Sequence, residues 1–156
     1  MLTDMKLAMQ AQQLPNLMVD PKYGSAAQIM ALPAAMLVDI LQDPTASVYA
    51  RAKACQRLAV VGDRSAVAAL APLLTDVRLS SYARFALEPL PDPAADDALR
   101  GALGKVKGTL LAGVIHSIGY RRDANAITAL ERLRHDPDAE VARAADGALA
   151  RIRPML

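Results

Sequence analysis

Apolar residues repeat at helical spacing along most of the chain, in three stretches that each follow an aspartate. The aspartates are Asp63, Asp92 and Asp123, spaced by 29 and 31 residues. Apolar positions follow each of them at intervals of three or four residues, which predicts helices with one buried face. They are Val67, Leu70 and Leu74, then Ala95, Leu99 and Leu103, then Ile127, Leu130 and Leu133. A further apolar residue precedes each aspartate by five positions: Leu58, Leu87 and Ile118. A register kept on both sides of the aspartates predicts two helices in each repeat.

Three Asp-Pro pairs are predicted to begin helices: Asp43-Pro44, Asp92-Pro93 and Asp136-Pro137. An N-cap aspartate accepts first-turn N–H groups, and proline at the first helical position has no N–H to leave unpaired. The predicted helices cover 33–42, 45–61, 64–74, 79–88, 93–103, 107–119, 124–134 and 137–152. Their short connections favour antiparallel neighbours. Glycines in left-handed backbone are expected to close three of them: Gly62, Gly104 and Gly119. No strand is predicted, so the fold class is all-α.

The first 31 residues lie outside the repeat pattern and are rich in methionine. Pro15 and the stretch 21–24 interrupt them, so they are predicted to be helical in pieces. Methionine-rich apolar surfaces adapt their shape to a partner. We therefore expect 1–31 to be a segment that caps the first repeat or docks a partner, and 32–156 to be the repeat domain.

Composition and charge narrow the classes of protein. Alanine supplies 32 of the 156 residues and aromatics only 3%, which favours closely packed helices over sheets. Residues 1–99 carry eight Lys/Arg against ten Asp/Glu, and residues 100–156 carry ten against six. This mildly basic last third falls short of the charge that nucleic-acid binding needs. No apolar run is long enough for a signal peptide or a membrane span. We therefore expect a cytoplasmic protein that binds neither nucleic acid nor membrane; a leader cleaved before Met1 would change the compartment.

The repeat resembles the HEAT repeats, in particular the short bacterial type also called phycocyanobilin-lyase-type repeats. The residues that carry the likeness are RAKACQRLAVVGDRSAVAALAPLL (51–74), SYARFALEPLPDPAADDALRGAL (81–103), GVIHSIGYRRDANAITALERL (113–133) and DAEVARAADGALARI (138–152). The resemblance covers about two-thirds of the chain. It implies a right-handed α-α superhelix, a solenoid of about four antiparallel helix pairs. Members of this family act as scaffolds, assembly factors, lyase subunits and, in some cases, nucleic-acid enzymes.

Residues with catalytic or metal-binding chemistry are few and scattered. Cys55 is the only cysteine, so the chain can form no internal disulfide, and we expect it to be a buried, inert thiol. His116 is expected to be packed or partly exposed, and His135 to lie in the last turn of a helix. Asp96 and Asp97 diverge by about 100° on a helix and cannot form an acid–base pair. We predict no catalytic residues, no metal and no organic cofactor.

Charged residues near the predicted turns have two open interpretations. In HEAT stacks, arginine and aspartate near the turns bond between adjacent repeats, and five acidic residues are candidates for this structural role: Asp63, Glu88, Asp92, Asp123 and Asp136. The alternative is a basic strip that binds a partner. Its candidate residues are Arg84, Arg100, Lys105, Lys107, Arg121 and Arg122.

The sequence favours a non-catalytic protein–protein interaction module, or scaffold, that binds an acidic partner along one face of the solenoid. An enzyme subunit of the lyase type and a nucleic-acid-binding repeat protein are the alternatives. Self-association through exposed solenoid ends is also possible.

Overall fold

Helices make up most of the structure, a computed structural model that describes residues 18–155. Nine α-helices lie in this range: α1 Ala26–Met30, α2 Ala34–Gln42, α3 Val48–Val61, α4 Val67–Leu70, α5 Ser80–Leu87, α6 Pro93–Ala102, α7 Gly108–Arg121, α8 Ile127–Leu133 and α9 Ala139–Ile152. Three 3₁₀ segments lie between helices, Arg64–Ala66, Ala71–Thr75 and Ala124–Ala126, and a fourth, Arg153–Met155, follows α9. The prediction of an all-α chain is confirmed apart from one strand pair. No helix of the described range has the length and apolar character needed to cross a bilayer.

The strand pair lies in the segment that was predicted to be helical in pieces. β1 (Val19–Asp20) pairs antiparallel with β2 (Gly24–Ser25). The turn at 21–23 falls within the predicted break at 21–24, but the prediction of no strand is wrong here. The carboxylate of Asp20 accepts the N–H groups of Lys22 and Tyr23 and folds the chain into that turn, which brings the two strands together. Gly24 closes that turn with a φ of 85°. Residues 1–17 lie outside the described range, and with them most of the predicted cap or docking segment.

Asp20 also ties the strand pair to the start of α3. Its carboxylate is 2% exposed and accepts the N–H of Ser47 at 2.9 Å. Burial raises the pKa of this carboxyl, but the hydrogen bonds from Ser47, Tyr23 and Lys22 outweigh it and hold the pKa at about 2. Because the folded-state pKa is depressed, the stability that Asp20 contributes is present above about pH 4 and is lost as the pH falls toward 2.

One of the three predicted Asp-Pro helix starts is correct. Asp92 caps α6 by accepting the N–H of Ala94 at 2.8 Å, and Pro93 is the first helical residue. The other two predictions are wrong by a few residues. Asp43 and Asp136 accept N–H groups two residues ahead and form turns, and the helices begin later: Ser47 caps α3 and Asp138 caps α9.

Two further expectations about helix shape are also wrong. The predicted helix 64–74 is divided, because Pro72 has no N–H to donate to the preceding turn and the α-helix ends at Leu70. Gly62, Gly104 and Gly119 do not adopt left-handed backbone. Arg122, with a φ of 57°, provides the left-handed residue that ends α7.

The apolar positions that repeat in the sequence form the core. Leu58, Leu87 and Ile118 are at most 1% exposed. The extensive contacts join helices that are neighbours or next neighbours in the chain: α2 with α3, α6 with α7, and α8 with α9, and also α3 with α5, α5 with α7, and α7 with α9. Residues 18–31 belong to the same core, since α1 packs on α3 and buries Ile29 completely.

Helices α7 and α9 approach closely at Gly119. A methyl group at Gly119 would lie 2.8 Å from the Cα of Ala148 and 2.9 Å from its Cβ, too near for either atom to yield without a backbone shift. At Gly147, one residue before Ala148, no atom of residues 18–155 lies within 4 Å of the same position.

We expect Gly119→Ala to lower the free energy of unfolding by about 2 kcal/mol, since overpacking forces the two helices apart. Gly147→Ala is the matched control, and it should raise stability by about 0.5–1 kcal/mol because alanine favours the helix and meets no neighbour. Urea unfolding followed by circular dichroism measures both. Equal effects of the two variants would show that α7 and α9 do not meet at Gly119.

Candidate functional site

Arg84 joins α5 to α7. Its guanidinium donates to the carbonyl of Gly113 at 3.0 Å and to the Ser117 hydroxyl at 3.3 Å, and that hydroxyl donates to Glu88 at 2.8 Å. Burial lowers the pKa of Arg84, and the charge of Glu88 opposes that effect. A side chain at Gly113 would collide with the guanidinium, because its Cβ would lie 2.8 Å from the Cζ of Arg84. The guanidinium of Arg84 therefore joins α5 to α7, and it would have to give up these hydrogen bonds to bind a partner.

Arg121 joins the end of α7 to the turn between α5 and α6. Its side chain is 9% exposed. The guanidinium donates to both carboxylate oxygens of Asp96, at 2.6 and 3.0 Å. It also donates to the backbone carbonyls of the turn: Leu87, Glu88, Leu90 and Asp92. These carbonyls have few backbone partners where a helix ends, so the arginine supplies donors that they lack.

Arg100 bridges two carboxylates. It donates to Asp123 and to Asp97, both at 2.7 Å. Asp123 is 4% exposed at its side chain and also caps the 3₁₀ segment that follows, by accepting the N–H of Asn125. Arg100 thus ties α6 to the turn after α7.

The five acidic candidates for contacts between repeats divide into two groups. The carboxylates of Glu88 and Asp123 accept hydrogen bonds from Ser117 and Arg100 of other helices, as expected. The carboxylate of Asp92 caps α6 and lies 3.8 Å from the guanidinium of Arg64, and its backbone carbonyl accepts a hydrogen bond from Arg121. Asp63 and Asp136 accept N–H groups of their own turns, from Ser65 and Asp138, and the hydrogen bonds found for them in the described residues are of this local kind. For Asp63 and Asp136 a contact between repeats is therefore not seen.

The remaining candidate cations are exposed, but they do not form one strip. Lys105, Lys107 and Arg122 have no side-chain partner among residues 18–155. Lys107 precedes α7 and Arg122 follows it, and the 14 residues of α7 separate them by about 20 Å. The structure brings Arg100, Arg121 and Arg122 to one end of α7 and the two lysines to the other.

A cavity that the sequence analysis did not predict lies between α7 and α9. It has a volume of about 240 Å³ and is lined by His116, Arg143, Ala144, Gly147, Ala148 and Arg151. The signal in the sequence is the spacing of Arg143, Gly147 and Arg151, which recur every four residues and share one face of α9. Nothing in α9 alone indicates that His116 lies opposite them.

Two exposed aromatic residues lie on the helices next to this cavity. Phe85 follows Arg84 on α5, and His116 precedes Ser117 on α7, and the Arg84–Ser117 hydrogen bond joins the two helices at this point. Tyr120 follows His116 by four residues and shares its face. Phe85 is 56% exposed and Tyr120 is 53% exposed. We define the aromatic–cationic face as the set Phe85, His116, Tyr120, Arg143 and Arg151.

The residues considered for catalysis or metal binding are not gathered into a site. Cys55 is completely buried, and burial raises the pKa of its thiol to about 12, which leaves little reactive thiolate. Among residues 18–155, no group of three or more His, Cys, Asp or Glu side chains is placed to hold a metal ion.

Comparison with known proteins assigns the chain to no family. No protein-family model matches the chain, and no curated protein matches it. The likeness to HEAT repeats therefore depends on the repeat pattern of the sequence alone.

We expect Arg121→Gln to lower the free energy of unfolding by about 3 kcal/mol, since it leaves Asp96 and several turn carbonyls without their donor. Arg132→Gln is the control, because Arg132 is exposed and has no partner within the described range. Its effect should stay within about 0.5 kcal/mol. Chemical denaturation of both variants measures this, and a loss below 1 kcal/mol for Arg121→Gln would contradict the structural role.

Proposed function

We propose that this chain is a HEAT-like solenoid of about four antiparallel helix pairs, wound right-handed, that binds another protein without catalysis. Two observations support the repeat interpretation. The equivalent positions Leu58, Leu87 and Ile118 are all buried, and each helix from α3 onward packs on the helix two places along the chain in the series α3, α5, α7, α9. Stacked pairs of this kind expose a long face made of every second helix.

The observation that carries the binding proposal is the aromatic–cationic face on α5, α7 and α9. Phe85 and Tyr120 are each more than half exposed, and the exposed Arg143 and Arg151 lie on α9, which packs against the helix of Tyr120. Aromatic residues and arginine are the residue types most enriched at the energetic centres of protein interfaces. A partner that covers the two rings removes apolar surface from water, which favours binding. The arginines can donate directional hydrogen bonds to the same partner.

The charge of this face favours an acidic partner. Arg143, Arg151 and the nearby Arg122 are exposed, and Lys105 and Lys107 add positive charge at the other end of α7. Opposite charge on a partner speeds the encounter, and binding weakens as salt rises. Of the six cations considered for binding, Arg84, Arg100 and Arg121 would have to give up internal hydrogen bonds to take part, and Lys105 and Lys107 lie at the other end of α7. We therefore assign the contact with the partner to Arg122, together with Arg143 and Arg151. The lyase and nucleic-acid alternatives stay hypotheses.

Affinity capture from extracts of the source cells, with the full chain as bait, tests this proposal. We expect at least one captured protein to be lost with Phe85→Ser/Tyr120→Ser. Val60→Ser/Val77→Ser is the matched control, because it also removes two exposed apolar side chains, 74% and 79% exposed, from other places. The control should retain that protein, and circular dichroism should show both variants folded. Retention of every captured protein by the Phe85/Tyr120 variant would overturn the proposed face.

A further inference from the structure

The cavity between α7 and α9 gathers positive charge with no negative charge in its lining. Two guanidiniums and one imidazole line it, and its other residues are the small Ala144, Gly147 and Ala148. The acidic residues nearest in the sequence of α9 are engaged elsewhere. Arg134, which follows α8, donates to Asp146 at 2.7 Å, and Thr109 donates to Glu140 at 3.1 Å. The lining itself therefore holds two guanidiniums and no carboxylate.

The two arginines of the cavity differ from most arginines around them. Arg100, Arg121, Arg134 and Arg153 each contact an acidic side chain. The side chains of Arg143 and Arg151 make no hydrogen bond or ion pair within residues 18–155. Their donors are free for a ligand that approaches from solvent. A guanidinium presents its donors in a planar fork that matches an oxyanion.

The geometry of α9 allows both arginines to contact one ligand. Arg143 and Arg151 are eight residues apart, so their Cα atoms are separated by about 12 Å along one face of α9. Gly147 lies midway between them and has open space above it, since a Cβ there would meet nothing within 4 Å. His116 faces this point from α7. An anionic group over Gly147 would have a cation at each end and an imidazole at its side.

We propose that this cavity binds a carboxylate side chain of an acidic segment on the partner protein. This inference rests on the proposed function, and it names the group that the aromatic–cationic face recognises. The cavity, at about 240 Å³, is smaller than the pockets that enclose whole small molecules, which are about 300–1,000 Å³, and it suits one anionic group of a larger chain. Phe85 and Tyr120 lie outside it, where they contact the apolar residues next to that carboxylate.

The test uses an acetylated hexaglutamate peptide as the probe, titrated into the full chain at low salt and followed by amide NMR shifts. We expect the shifts to centre on Gly147 and His116. Arg143→Gln/Arg151→Gln should weaken binding tenfold or more. Lys105→Gln/Lys107→Gln removes the same charge elsewhere and should weaken it less than twofold. Gly147→Leu leaves the charge unchanged, fills the space above α9 and should also weaken binding tenfold.

Three outcomes would overturn the carboxylate site. Equal weakening by the two double variants would mean that the peptide responds to overall charge. Unchanged binding by Gly147→Leu would place the peptide outside the cavity. Inorganic phosphate that binds there while hexaglutamate does not would make the cavity a site for small phosphate anions.

The capture experiment separates this inference from the proposed function. A partner lost with Phe85→Ser/Tyr120→Ser but kept with Arg143→Gln/Arg151→Gln would leave the binding face standing and overturn the carboxylate site. Hexaglutamate bound in the cavity, with no captured protein dependent on the face, would support the site and overturn the proposed function.

Discussion

The hydrogen bonding of Arg121 is the interaction on which the arrangement of the second half of the structure depends. One guanidinium, 9% exposed, contacts Asp96 and the carbonyl groups of the turn between α5 and α6. Without Arg121, the carbonyl groups of this turn would be shielded from water and would lack a hydrogen-bond donor, which costs free energy. Because α7 also packs on α9, the position of that turn governs where the aromatic–cationic face lies.

The arginines of the described range include two groups with different roles, those that hold helices together and those whose side chains are exposed without a partner. Arg84, Arg100 and Arg121 hold helices together through carbonyls, a hydroxyl and carboxylates. Arg143 and Arg151 lie on the solvent side of α9 with their donors free of other described residues. This division has a simple physical basis. A buried charge must be paired, whereas an exposed one keeps its hydration until a partner replaces the water.

The sequence predicts the helices and the core better than it predicts the contacts between charges. Apolar spacing alone identifies Leu58, Leu87 and Ile118 as equivalent and buried, because the buried face of a helix places apolar residues at regular intervals in the sequence. Asp92 is recognised as a cap, yet Asp43 and Asp136 are mistaken for caps, since the same carboxylate chemistry closes a turn. Which group each arginine contacts depends on how two helices, about 30 residues apart in the sequence, are aligned side by side. The cavity beside His116 depends on the same kind of alignment, between α7 and α9.

A double-mutant cycle between Arg121 and Asp96 tests most directly whether this arginine fixes the register. It compares Arg121→Met, Asp96→Ala and the double variant by urea unfolding. We predict a coupling of about 2 kcal/mol, because the two groups form a bidentate pair that is largely shielded from water. A coupling below about 0.5 kcal/mol is the value of an exposed pair. Together with a small effect of Arg121→Met alone, which also removes the donors to the turn carbonyls, it would contradict the claim that Arg121 holds α7 to the preceding helices.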